Sequence, residues 1–236
     1  MKVAAIGDIH APLFLDIFRR SLDKFLKFED EVSLFLIAGD IIEGKRLDQL
    51  KDVKILLDKI KVPIYACFGN NEYQDNISLI KESLPNVHFL DDEYVELSLN
   101  NKRIYLVGSR GVLDQPTYWQ RKNWPGIADV YRERTLKLKQ IAESGESDYK
   151  VLLIHYPPTY GIIEGENTKF LSSIGSKKLE TLVEMFDLVV TAHAHKGKRY
   201  AEVKRVCVYN VSLPLTGEIT IIDLDRKRGL DRFFLF

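Results

Sequence analysis

Five short apolar runs in this chain each end on side chains able to hold a metal ion, and four of its five histidines are used that way. Val3-Ala4-Ala5-Ile6-Gly7 leads into Asp8 and His10, and Leu34-Phe35-Leu36-Ile37-Ala38-Gly39 into Asp40. Ile64-Tyr65-Ala66-Cys67-Phe68-Gly69 leads into Asn70, Val151-Leu152-Leu153-Ile154 into His155, and Leu188-Val189-Val190-Thr191-Ala192 into His193 and His195. Such runs read as buried strands, and ligands in open α/β sheets gather outside the carboxyl ends of strands. The pattern predicts seven polar side chains on one rim, and an active site there.

The segments between these runs support an α/β reading. Apolar positions Leu15, Phe18, Leu22, Phe25 and Leu26 recur at helical spacing over 13–28, which makes a βαβ beginning and a largely parallel sheet. A further helix is expected over 77–84, closed by Pro85. Alternating segments 94–99 and 102–107 flank Asn100-Asn101, a hairpin signal that places antiparallel strands after parallel ones. Residues 109–129 lack periodicity and are expected to be a long functional loop, followed by a helix over 130–143 and another near 177–186. Alternating segments 206–211 and 218–224 are expected to complete a second sheet with antiparallel strands. With 236 residues and no linker or repeat, one domain over 1–236 is expected.

Composition narrows the function classes. Lysine plus arginine equal aspartate plus glutamate at 34 each, so no global field draws the chain to nucleic acid, and a polyanion must be held locally. Cys67 and Cys207 lie in apolar segments and suit free buried thiols in a reducing compartment. No apolar run approaches the ~20 residues that cross a bilayer, and the N-terminus enters a strand at once. A cytoplasmic protein without membrane attachment is the expectation, its oligomeric state left open.

The ligand set suggests its own chemistry. Asp8 and His10 can face one cation if the chain leaves the extended state, as can His193 and His195, while Asp40 has two oxygens with which to bridge two cations. Two divalent ions against Asp8 and Asp40 leave a net charge of about +2, which attracts phosphate. Mixed imidazole and carboxylate ligands suit Mn, Fe, Co, Ni or Zn better than Ca or Mg, with Mn favoured. His88 falls outside the pattern and reads as structural.

In order, Gly7-Asp8-Ile9-His10, Gly39-Asp40-Ile41-Ile42-Glu43, Gly69-Asn70-Asn71-Glu72, His155 and Ala192-His193-Ala194-His195 resemble the calcineurin-like metallophosphoesterase family. The resemblance implies a four-layer α/β/β/α sandwich of two mixed sheets. It implies that Asp8, His10, Asp40 and His195 hold one metal, and Asp40, Asn70, His155 and His193 the other. A metal-bound hydroxide would then attack a phosphate mono- or diester.

Two positions depart from the family pattern. Asn71 stands where a histidine usually contacts phosphate and assists the leaving group, and Glu43 where an aspartate often supports that histidine. An amide donates a hydrogen bond but delivers no proton, so activated esters, or substrates that bring their own proton donor, are expected over alkyl monoesters. Ala192 replaces the usual glycine and is expected to narrow the approach to His193. Asn71, His193 and Asp40 are the expected catalytic residues; Asn71, Arg110 and Trp119 are carried as substrate contacts.

Tyr118, Trp119 and Trp124 have two roles open to them, packing the loop on its own helix, the favoured one, or stacking on a substrate ring. Arg110, Arg121 or Lys122 would meet a second phosphate. The basic group Lys196, Lys198, Arg199, Lys204 and Arg205 is expected to be a solvated strand pair. A small-molecule phosphate ester is the expected partner. The alternatives are a metal-binding protein scaffold, like the retromer subunit of the family, and, ranked lower, a nuclease like the double-strand-break-repair member.

Overall fold

In the computed structural model, which describes residues 1–225, the buried runs become two facing sheets. The first contains β1 (Lys2–Ile6), β2 (Val32–Ala38), β3 (Ile64–Cys67) and β4 (Val87–Leu90), all parallel. Helices α1 (Leu15–Phe25), α2 (Leu50–Leu57) and α3 (Ile77–Ser83) connect them.

The second sheet opens with the hairpin β5 (Glu93–Leu99) and β6 (Lys102–Ser109). Its turn is Asn100-Asn101, both at positive φ, as a two-residue hairpin matched to strand twist requires. Next come α4 (Tyr118–Asn123), α5 (Ile127–Ser144), β7 (Tyr149–Ile154), α6 (Glu180–Val183) and β8 (Leu188–Thr191). After them lie β9 (Tyr200–Val203), β10 (Val206–Asn210), α7 (Leu213–Thr216) and β11 (Thr220–Asp223). The sheet orders are β11-β1-β2-β3-β4 and β5-β6-β7-β8-β10-β9.

The period-2 alternation of each strand divides its side chains between two cores. On β1, Val3 and Ala5 face the other sheet, joining Leu34, Leu36, Leu106, Val151, Leu153 and Val190 between the layers. Ala4 and Ile6 face outward under Phe18, Leu22, Val53 and Ile80 of α1, α2 and α3. Leu152 and Val189 of the second sheet lie under Tyr131, Leu138 and Leu182 of α5 and α6. The result is the four-layer α/β/β/α sandwich of two mixed sheets.

Three expectations need correction. The segment expected at 218–224 does not complete the second sheet: β11 pairs antiparallel with β1, with Ile222 opposite Val3. A short strand with one buried face fits either sheet, and α7 carries it across to the first. The loop expected over 109–129 contains α4 and the start of α5. Thr117 caps α4 by accepting from the Gln120 backbone N–H, while Gln120 Oε1 accepts from Thr117 N–H, a capping box that periodicity alone misses. The helix expected near 177–186 is only the single turn of α6.

Cys67 is buried; Cys207 is partly buried, and the Tyr200 hydroxyl donates to its sulfur. His88 lies on the exposed side of β4, stacked on Tyr65 at 5.0 Å. Among the described residues no helix is long and apolar enough to cross a membrane.

Candidate metal centre

Each candidate ligand follows a strand end or an extension of one, and the backbone there turns sharply. Asp8, His10, Asp40 and His193 all have positive φ, at 55°, 41°, 52° and 68°. An L-residue gives up on the order of 1 kcal/mol in this region, and such residues persist where surrounding structure fixes them, often at functional sites. The turn out of the extended state brings Asp8 and His10 to one point. Close backbone approach is needed as well: a Cβ on Gly69 would overlap the Asp40 carboxylate, and one on Gly39 would lie 2.6 Å from Gly69 N. Ala192 takes up the space beside Gly7, where an added Cβ would meet its own.

Two groups of ligand atoms form, Asp8 with His10 and His195, and Asp40 with His155 and His193, the atoms of each within 4.8 Å of one another. The groups adjoin, since His10 Nε2 lies 3.6 Å from Asp40 Oδ2 and His155 Nε2 3.7 Å from the same oxygen. Asn70 Oδ1 is 3.0 Å from His155 Nε2. All seven side chains named from the sequence therefore meet at one place.

Their lone pairs face each other, which tests the fit of a cation. His155 Nδ1 lies 2.8 Å from the Ala38 carbonyl, which can only accept, so Nδ1 carries the proton and Nε2 a lone pair. That lone pair meets Asp40 Oδ2 and, as the amide is placed, Asn70 Oδ1, both acceptors. Asp8 Oδ1 and His10 Nε2 are buried and have no hydrogen-bond partner. Buried polar atoms are rarely left this way, and a divalent ion in each group would satisfy them. The residues fit the metals that the donor set implies.

Electrostatics prepare the same atoms. Burial opposes the charge on Asp8, yet the contact with His195, at 3.3 Å, and the charges of His155, His195 and His10 bring its carboxyl well below the usual range. Burial lowers His193 to about 3, aided by His155, so its imidazole is neutral and free to coordinate at neutral pH. Burial works to lower His195 too, but Asp8, Asp40 and Glu166 outweigh it and raise its pKa.

Three residues around the ligands have roles that the motif did not disclose. Glu72, fully buried, accepts from Asp40 N at 2.9 Å, Ile41 N at 2.7 Å and Gly69 N at 2.6 Å, clamping two ligand loops together. Burial and the nearby Asp40 raise its pKa, against the pull of these N–H groups. Glu43 Oε2 lies 2.7 Å from His10 Nδ1, off the line of a formal hydrogen bond, and leaves His10 Nε2 toward the centre. Asn210 donates to Ala194 O at 2.7 Å and accepts from Ser212 N, holding the His193 to His195 turn. Glu43 and Glu72 stand in the blocks that carry the family resemblance, though not with these partners in view, and Asn210 had no sequence signal.

Asn71 lines a cavity of about 270 Å³ with Asn70, Leu113, Trp119, Tyr156 and His193. Its side chain is nevertheless engaged inward, Nδ2 donating to Asp40 Oδ2 at 2.7 Å and Oδ1 accepting from Gly44 N at 3.1 Å. Arg110 and Trp119 line a second cavity of about 540 Å³ that also includes Asn70. Arg121 and Lys122 reach neither cavity, and Arg121 instead donates to Pro116 O at 2.5 Å. Of the three aromatics, Trp124 packs against the core under α5, Tyr118 faces solvent, and Trp119 faces both cavities. Lys198, Arg199 and Lys204 pair with Glu164, Glu218 and Glu184, as solvated surface residues do.

The calcineurin-like phosphoesterase family model matches residues 1–197. The chain belongs to that family. No curated protein matches it. Among solved structures, this calcineurin-like phosphoesterase is similar to phosphopantetheinyl hydrolase from Mycobacterium tuberculosis, at 14% identity and TM-score 0.64, over 89% of this chain and 88% of that one. The anchor in the inner membrane complex of Plasmodium shares 15% identity at TM-score 0.59, over 91% and 72%. The 5'-nucleotidase precursor from Thermus thermophilus shares 14% at TM-score 0.55, over 89% of this chain but only 48% of its own. At these identities the likeness establishes the fold.

Proposed function

We propose that the chain is a metal-dependent phosphohydrolase acting on small phosphodiesters or phosphomonoesters. The observation that carries this reading is the convergence of two adjoining imidazole and carboxylate groups in which the buried Asp8 Oδ1 and His10 Nε2 have no hydrogen-bond partner. Asp8, His10, Asp40 and His195 would hold one divalent transition ion, and Asp40, Asn70, His155 and His193 a second, with Mn favoured. When bound, such ions polarise phosphoryl oxygens and make water acidic enough to attack near neutral pH.

The protein's own groups do the remaining work. Asp40 Oδ2 lies between the two ligand groups, and Asn71 orients that carboxylate through its backbone and side-chain N–H groups. His193, neutral and partly buried, opens on the smaller cavity where the ester would lie. No side chain placed at Asn71 delivers a proton, so the leaving group must depart as a stable anion or bring its own proton. Support for hydrolysis comes from membership of the family and from the fold shared with a hydrolase and a nucleotidase.

A binding scaffold is the second reading, favoured by the inward engagement of Asn71 and by the fold shared with a Plasmodium anchor. Turnover decides between them. Metal-stripped protein refilled with Mn²⁺ is expected to hydrolyse bis-p-nitrophenyl phosphate, and Asp40→Asn to be inactive. Equal inactivity of both with Mn²⁺, Co²⁺, Ni²⁺ and Fe²⁺ would favour the scaffold.

A further inference from the structure

The cavity of about 540 Å³ beside the ligand groups has a polar floor and aromatic walls. Arg110, only 7% exposed, lies in it. One terminal nitrogen donates to Glu72 O at 2.9 Å, which fixes the guanidinium, while Nε is buried with no acceptor. Among the described residues no carboxylate comes within ion-pair distance of Arg110. Arg134, in the same cavity, is by contrast bound to Asp92 at 2.7 Å. A buried cation without a counterion is costly, and a guanidinium matches an incoming phosphate in charge and shape.

The walls suit a flat ring. Trp119 is 55% exposed and stacks on Tyr73 with centroids 6.1 Å apart and 29° between planes. Trp124 and Tyr156 line it too, Lys45 and Asp75 bring one charge of each sign, and Asn70 joins this cavity to the candidate metal centre. We infer that this cavity seats a nucleoside monophosphate as the leaving part of a phosphoanhydride substrate, its base on Trp119 and Tyr73 and its phosphate on Arg110. The inference rests on the phosphohydrolase reading and narrows it.

The assignment meets the requirement left by Asn71. Water supplies the oxygen of the new P–O bond at the distal phosphorus, the bridging P–O bond breaks, and its electron pair stays on the nucleoside monophosphate. Water's proton passes to solvent. A phosphate leaving group with a second pKa of about 6 needs no proton from the protein at neutral pH.

Trp119 and Trp124 are the only two tryptophans of the chain and both line this cavity, so intrinsic fluorescence reads binding there without metal or turnover. Metal-stripped protein at about pH 8.5, where free imidazoles are neutral, is titrated with adenosine and with adenosine monophosphate. The monophosphate is expected to bind at least about tenfold tighter, as a charge-assisted bidentate contact warrants, and Arg110→Met to erase the difference. Inorganic phosphate is expected to reduce the wild-type advantage of the monophosphate while leaving adenosine binding unchanged, which keeps the test decisive if Arg110→Met fails to fold. Equal affinities, an advantage surviving in folded Arg110→Met, or an advantage indifferent to phosphate would overturn the inference. Turnover of bis-p-nitrophenyl phosphate by the Mn²⁺-loaded protein separates the two claims. Turnover without the monophosphate advantage defeats this inference alone, and the advantage without turnover supports the cavity while defeating the hydrolase reading.

Discussion

Asn71 Nδ2 donates to Asp40 Oδ2 across 2.7 Å, and the Asn71 backbone N–H donates to Oδ1 of the same carboxylate at 2.8 Å. The residue standing where the family usually has a proton-delivering histidine is thus a clamp on the central ligand. Partners that orient a metal ligand typically change metal affinity about 10- to 100-fold when removed. Asn71→Ala is therefore expected to weaken Mn²⁺ binding by that amount in a competition titration, with the dependence of rate on leaving group unchanged. Unchanged affinity would count against the clamp.

Without a general acid, rate should follow the stability of the departing anion. A plot of log kcat/KM against leaving-group pKa for aryl and alkyl phosphodiesters is expected to fall steeply, since an acid catalyst is worth ~10²–10⁴-fold for poor leaving groups. A flat plot would reveal a proton donor elsewhere in the site.

Glu72 satisfies three backbone N–H groups in a fully buried place. Glu72→Gln removes the charge and turns an NH₂ toward one of those donors. A loss of about 2–3 kcal/mol in denaturant unfolding of the metal-free protein is expected. The loss should come with weaker metal binding, because the same three groups fix Asp40 and Gly69. Unaltered stability would mean that the clamp is redundant.

His193 and His195 should bend the pH dependence of the metal-free protein in opposite directions. The pKa of His193 falls from 6.5 to about 3, so between these values the unfolded chain binds a proton that the folded chain refuses, and stability is lost as pH falls through that window. The pKa of His195 is raised, so its contribution is full below 6.5 and is lost as pH rises through its folded value. Relative to wild type, His193→Asn should therefore gain Tm on acidification from about pH 7 to about pH 5, and His195→Asn should lose Tm from about pH 8 to about pH 6. Parallel behaviour of the two variants would contradict the assignment.

The seven candidate ligands were legible because they follow the ends of five buried strands, and strand ends can be read from apolar runs without knowing which strands pair. The Asn100-Asn101 hairpin was legible for a similar local reason. What escaped depended on long-range partners. β11 has a pattern that suits either sheet, and only its pairing with β1 decides. Glu43 and Glu72 lie in the quoted blocks, but they act across 33 and 32 residues of chain, on His10 and Asp40, and nothing local discloses those partners. The capping box of Thr117 and Gln120 was readable but lay inside a stretch judged irregular for want of apolar period. Arg110 was named as a phosphate contact from its charge, while its burial without a carboxylate partner is visible only in three dimensions.

The central claim is that these strand ends hold two metal ions, and anomalous diffraction from a crystal of the Mn²⁺-loaded protein tests it most directly. The account predicts two anomalous peaks, one among Asp8, His10, Asp40 and His195 and one among Asp40, Asn70, His155 and His193, with both weakened in Asp40→Asn. A single peak elsewhere, or none at these side chains, would contradict it.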